Sequence, residues 1–175
     1  MLFKTTKEIN EMSNDTTPAF DFSDFSEVFD KANATSRDKT EKLDIKLATD
    51  TKEMEVVKLG RGTMKIKDEN KNEVEIPKMW ALLRLVDGKF SGETTFKSYR
   101  LSKNAKDWQT ALQDLKTMGV KKVSTAEDIN DDENLATAYG NRVAVSVYVS
   151  KSKKNGKEYG NINIQRRTST ASERA

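Results

Sequence analysis

Val143, Val145, Val147 and Val149 alternate with polar or small residues, and Ile162 and Ile164 resume the alternation after Ser152-Lys-Lys-Asn-Gly-Lys157. A period of two is the strand period, because successive side chains leave a strand on opposite faces. Asn155-Gly156 between two such runs is a strong hairpin signal, since both residue types tolerate the positive φ of a tight reversal. Any fold of this chain must therefore accommodate an antiparallel hairpin from Arg142 to Arg167. With the valines and isoleucines facing a core, the opposite face carries Arg142, Ser146, Tyr148 and Ser150 on one strand. On the return strand it carries Tyr159, Asn161, Asn163 and Gln165. Lys151, Lys153, Lys154 and Lys157 surround the tip, and Arg166 and Arg167 stand at the far end.

Formal net charge is only +3 over 175 residues, but it is unevenly placed. Residues 1–50 hold 7 basic and 11 acidic side chains, whereas residues 141–175 hold 8 and 2. A basic pole points to a polyanionic partner. Tyrosines beside flexible lysines suit single-stranded nucleic acid in particular. Rings stack on unpaired bases for about 1–3 kcal/mol each, and lysines follow phosphates without reading sequence. The plainer alternative is a solvated edge hairpin whose lysines only discourage aggregation.

Further strand signals precede the hairpin. Leu43, Ile45 and Leu47 alternate, as do Met54 and Val56, then Met64 and Ile66. Val74 and Ile76 lead through Pro77 into the most apolar run of the chain, Met79 to Val86; Asp87-Gly88 then marks a turn. Thr94 to Leu101 is rich in β-branched and aromatic residues. With Ala81, Leu83 and Leu85 inward, Trp80, Leu82, Arg84 and Val86 face the other way, and Phe96, Ser98 and Arg100 share a face of the next strand. Trp80, Arg84, Phe96 and Arg100 thus form a second candidate surface, with core packing as the alternative role for its rings.

The period then lengthens. Trp108, Ala111, Leu112 and Leu115 predict a helix capped by Asn104 and stopped by Gly119, with Trp108 in the core. A second helix is expected from Ser124, which makes a capping-box pattern with Glu127, to Tyr139 before Gly140. Strands, a helical block and a closing hairpin are the order of a five-stranded OB-type barrel, so a mainly β domain with one or two inserted helices is expected. That domain is placed at 41–167. Residues 1–40 read as an acidic, Phe-containing, partly disordered extension, and 168–175 as a disordered tail. Within the extension Phe22, Phe25, Val28 and Phe29 fall at helical spacing and predict a short amphipathic helix docked on another surface.

Several chemistries lack their residues. With no cysteine and no histidine there is no disulfide framework, thiolate nucleophile or commonest general base and zinc ligand. Asp128-Ile-Asn-Asp-Asp132 opens like a calcium loop but has Glu133 where the loop needs glycine and Tyr139 where it needs glutamate. Gly60-Arg-Gly62 is a fragment of a phosphate loop without the Gly-Lys-Ser/Thr ending. A non-catalytic protein with no metal or cofactor is expected. A cytoplasmic location is expected by default, since no run is long enough to span a bilayer and the N-terminus lacks a signal-peptide pattern.

Val86-Asp-Gly-Lys-Phe-Ser-Gly92, Phe96-Lys-Ser-Tyr-Arg-Leu101, Asp114-Leu-Lys-Thr-Met-Gly119, Gly140-Asn-Arg-Val143 and Asn155-Gly-Lys-Glu-Tyr-Gly-Asn-Ile162 occur in an informative order. In that order and spacing, from Trp80 onward, the chain resembles a family of phage proteins from replication and recombination gene clusters, whose relatives are OB-fold single-stranded-DNA-binding proteins. Phe20-Asp-Phe-Ser-Asp-Phe25 looks like the start of such proteins. The resemblance covers about half the chain, and 42–78 fits it less well. It implies an early phage protein coating single strands during DNA replication, recombination or repair in the host cytoplasm. Phage or host replication and recombination proteins are implied as partners, and exposed strand edges allow a homodimer. Bacterial relatives end in an acidic, Phe-tipped tail, whereas this chain ends Ser-Glu-Arg-Ala175. The acidic segment 20–30 has similar chemistry at the other end, and would either recruit partners or compete with DNA for the basic groove. Two other readings stay open: an adaptor or inhibitor that meets a host protein through the hairpin, and a duplex- or RNA-preferring binder.

Overall fold

In a computed structural model, which describes residues 20–41 and 51–175 apart from the side chains at 41, 148–150, 159 and 160, the chain is mainly β. It runs through α1 (Ser26–Thr35), β1 (Thr51–Lys67), β2 (Glu73–Leu85), β3 (Thr94–Arg100), α2 (Ala105–Met118), α3 (Asp132–Ala136), β4 (Arg142–Lys151) and β5 (Glu158–Ser169). The five strands form one antiparallel sheet in the order β3-β2-β1-β4-β5. The expected five strands are present, and their pairing leaves β3 and β5 as outer strands of an open order among the described residues. The expected strand at Leu43, Ile45 and Leu47 lies outside those residues.

The alternations at Met54 and Met64 merge into a single 17-residue strand, β1. It keeps register with β2 by one bulge at Val57, between the pairs Val56–Leu83 and Lys58–Leu82. Pro77 does not break β2. Its carbonyl accepts from Leu101 N at 3.0 Å, so its missing N–H also points to the β3 side, where the ladder ends. Ala81, Leu83 and Leu85 face the core as expected, together with Met54, Val56, Val143, Val145, Ile162 and Ile164.

α2 covers that inner face with the stripe the spacing predicts. Trp108, Ala111, Leu112, Leu115 and Met118 are buried. The Asn104 side chain accepts from Lys106 N at 3.0 Å, and Gly119 ends the helix at φ +96. Val120 N returns to Leu115 O and Gly119 N to Lys116 O, which satisfies two last-turn carbonyls. The second expected helix is interrupted. Asp131 adopts an extended backbone (φ −88, ψ 101), which splits 124–139 into a 3-10 turn, Ala126–Asn130, and the short α3. The capping box is Thr125 with Asp128 rather than Ser124 with Glu127, and Asp128 Oδ2 accepts from the backbone N of both Ser124 and Thr125. The first residue of the calcium-like run is thus a cap.

Residues 20–35, within the expected extension, pack into the core. After a 3-10 turn at Ser23–Phe25, α1 buries Phe29 and Ala32, and Phe22 and Phe25 are buried ahead of it. Three rings surround Trp108: Phe22 at 5.6 Å and Phe29 at 5.9 Å edge-on, and Phe25 at 5.8 Å tilted. These are favourable aromatic geometries. The helix expected at 20–30 forms only from Ser26 and runs on to Thr35, Ser23–Phe25 being a 3-10 turn, and the segment has Trp108 as its docking partner. Behind it, Lys39 Nζ lies 2.9 Å from the fully buried Asp114, which also takes Lys97 Nζ and the Tyr99 hydroxyl, each at 2.7 Å.

At the other terminus, β5 extends to Ser169, into the stretch expected to be disordered. Ala171 N donates to Asn141 Oδ1 at 2.9 Å, and a 3-10 turn follows at Ser172–Arg174. No described helix is long and apolar enough to cross a membrane.

Candidate nucleic-acid interface

The outward face of the sheet is set by the register. Lys58, Leu82 and Phe96 form one row, Gly60, Trp80 and Ser98 the next, and Gly62, Lys78 and Arg100 the third. In the other direction Arg84 and Arg142 both pair with Glu55, from opposite sides of β1. Trp80, Arg84, Phe96 and Arg100 therefore share one face as expected, and Arg142 belongs to the same face. Lys58 and Lys78 are basic residues of this face that strand alternation alone did not single out. Lys78, two residues before Trp80, follows from alternation once β2 runs on through Pro77, whereas Lys58 requires the pairing of β1 with β2, because the bulge at Val57 shifts which β1 residues point outward.

Trp80 is not an open platform. It is only 7% exposed and meets Phe96 edge-on at 5.6 Å. The glycines of Gly60-Arg-Gly62 explain how the ring fits. A Cβ on Gly60 would lie 2.1–2.7 Å from three carbons of the indole, so the Trp80 ring occupies the space above β1 that only glycine leaves open. Lys78 lies similarly over Gly62, 3.4 Å from where a Cβ would stand. Arg61 between them points inward, where its guanidinium reaches Asp132 at 2.6 Å and the Ile129 carbonyl. The Gly-Arg-Gly run thus builds a floor for an aromatic–cationic surface. Phe96, half-buried and braced by Trp80, is the more accessible of the two rings.

The cations of the face differ in their commitments. Arg84 is about half exposed and lies 3.6 Å from Glu55, a surface pair of little energetic weight. Arg100 pairs with Asp107 at 3.2 Å, which ties it to the first turn of α2. Lys97 and Tyr99, on the alternate positions of β3, turn inward to Asp114.

The hairpin forms, with Val143, Val145, Ile162 and Ile164 facing the core as expected. Its strands pair from Arg142–Ser169 to Lys151–Glu158, closed by the loop 152–157 in which Gly156 takes φ +69. Lys151, Lys153, Lys154 and Lys157 are all exposed. The side chains of Tyr148 and Tyr159 lie outside the described residues, although their backbones pair with Asn161 and Ser150. At the far end a bulge at Gln165 exchanges the faces of the two arginines that follow it. Arg166 pairs with Ala144 and is exposed on the outward side. Arg167 pairs with Val143 and turns inward, where its guanidinium meets Asp38 at 3.1 Å and the carbonyls of Lys116 and Thr117. Strict alternation missed this because one extra residue exchanges the two faces.

A surface concavity of about 510 Å³ near the C-terminal end of α2 is lined by Asp38, Lys116, Asn141 and Arg167. Its cations are engaged: Lys116 Nζ donates to Asn33 and Ser36, and Arg167 to Asp38 and the helix carbonyls. Comparison with known proteins gives no matching family model and no matching curated protein.

Proposed function

We propose that this is a sequence-tolerant single-stranded-DNA-binding protein built on an OB-type framework, which coats single strands in phage replication, recombination or repair. The strand order β3-β2-β1-β4-β5, with α2 between β3 and β4, supports this framework, since joining β3 to β5 would close the sheet into a five-stranded barrel. In such barrels the face of the second and third strands receives oligonucleotides. The observation that carries the reading is on that face: the Trp80–Phe96 ring pair stands among Lys58, Lys78 and Arg84. An aromatic surface bordered by cations suits unpaired bases with their phosphates and has no built-in discrimination among bases. The exposed lysines at the hairpin tip extend the positive surface.

Charge reversal separates the face from the hairpin tip. The double variant Lys58→Glu with Lys78→Glu should weaken binding to oligo(dT) at least about tenfold at low salt. Removing two phosphate contacts on a single strand should also flatten log K against log salt by about 1.4. Unchanged affinity and slope would remove the sheet face from the site and leave the lysines of the tip as the grip.

A further inference from the structure

The loop 86–93, between β2 and β3, displays the only large hydrophobic side chain exposed among the described residues, Phe90 at 55%. The loop is held by its own hydrogen bonds. Gly92 N reaches Leu85 O at 2.7 Å, Leu85 N reaches Glu93 O at 2.7 Å, Ser91 Oγ reaches Val86 O at 2.8 Å and Glu93 N reaches Phe90 O at 3.1 Å. Gly88 and Gly92 take φ of +81 and +94 with open space around them, so they serve the backbone path. Phe90 is therefore presented on an ordered turn. The Lys89 ammonium stands 5.7 Å from its ring centroid and occupies one side of it.

The position of the loop gives it a partner class. Val86 N donates to Glu53 O, and Thr51 pairs with Ser146, so the loop and the β4–β5 hairpin both project past the start of β1. Between them, on the outward face, lie Arg84, Glu55 and Arg142. Three interstrand steps separate β3 from β5's neighbour β4, on the order of 15 Å at the usual strand spacing. An exposed ring at one end of the row Arg84–Glu55–Arg142, with the exposed Arg166 of β5 beyond Arg142 at the other, matches a strand whose phosphates cross the sheet and whose base meets the ring.

We infer that the β2–β3 loop is a stacking finger, in which Phe90 receives an unpaired nucleobase on the ring side not covered by Lys89 and Lys89 meets the adjacent phosphate. This rests on the single-strand-binding reading and extends it to a loop outside the sheet. A stacked base is worth about 1–3 kcal/mol, or a loss of roughly fivefold to 150-fold in affinity when the ring is removed.

The test titrates labelled oligo(dT) with the wild-type protein and with Phe90→Ala, Phe90→Leu and Phe90→Trp at two salt concentrations. Phe90→Ala should bind about tenfold more weakly with an unchanged salt slope and an unchanged melting temperature, because the ring is exposed. Phe90→Trp should bind within about twofold of wild type, with new indole emission quenched by the oligonucleotide. Full restoration by Phe90→Leu would overturn stacking in favour of simple apolar contact. Wild-type binding by Phe90→Ala would overturn the finger and leave the single-strand reading intact. No binding of oligo(dT) by the wild-type protein would remove both.

Discussion

Replacing Asp114 with alanine is expected to cost about 3–5 kcal/mol of stability, the usual loss when one member of a buried ion pair is removed. The carboxylate is fully buried, pairs with both Lys39 and Lys97 and accepts the Tyr99 hydroxyl. Alanine would leave two ammonium groups, both largely buried, facing an interior without their anion. For a chain of this size each kcal/mol moves the melting temperature by roughly 2–4 °C, so a fall on the order of 10 °C is expected. A fall below about 2 °C would mean that the cluster is not structural. Alkali gives a second signature. Burial first, then the Asp114 charge and hydrogen bond, hold the Tyr99 hydroxyl well above its ordinary value near 10. Burial also raises Tyr139. In the unfolded chain these hydroxyls ionise near pH 10, before they do in the folded protein, so the unfolded state then binds fewer protons. Stability is therefore retained below pH 10 and lost as pH rises beyond it, and Tyr99→Phe should reduce that loss.

The second large effect is expected at Phe22. Its ring is 1% exposed and meets Trp108 edge-on, within a group completed by Phe25 and Phe29. Phe22→Ala should cost about 3–5 kcal/mol, from lost burial and from the cavity left against the indole. Urea unfolding should show a lower midpoint with a similar slope. Deleting residues 1–40 removes all three rings and Lys39, and should abolish cooperative unfolding. A truncated protein with the wild-type midpoint would contradict the assignment of this segment to the core. The acidic residues Asp21, Asp24, Glu27 and Asp30 remain exposed on the docked segment, while its phenylalanines at 22, 25 and 29 are used internally. A recruiting role for 20–30 would therefore have to rest on its acids.

The parts legible in the sequence are those whose determinants are local. Asn104, the stripe from Trp108 to Leu115, and Gly119 define α2 within a residue, because cap, periodicity and stop all lie inside one segment. The valine and isoleucine alternation of the hairpin is read as directly. What was hidden depends on partners distant in the chain. The phenylalanines of 20–29 read as an amphipathic helix docked on an unspecified surface until Trp108 is placed beneath them. Arg167 looks like a partner of Arg166 until the bulge at Gln165 turns it toward α2. Gly60 and Gly62 resemble a broken phosphate loop until β2 lays Trp80 and Lys78 across them. For the candidate face, alternation aligned Trp80 with Arg84 and Phe96 with Arg100. It carried no information about lateral pairing, so Lys58 emerged only with the register, and Lys78 only once β2 was seen to continue through Pro77.

Recognition of unpaired bases and their phosphates is measured most directly by binding of oligo(dT) at several salt concentrations, in competition with duplex DNA and RNA. If about four cations displace counterions from a single strand, log K should fall with log salt at a slope near −3, with single-stranded DNA outcompeting duplex. No binding at low salt, or displacement of oligo(dT) by equal duplex, would contradict the account.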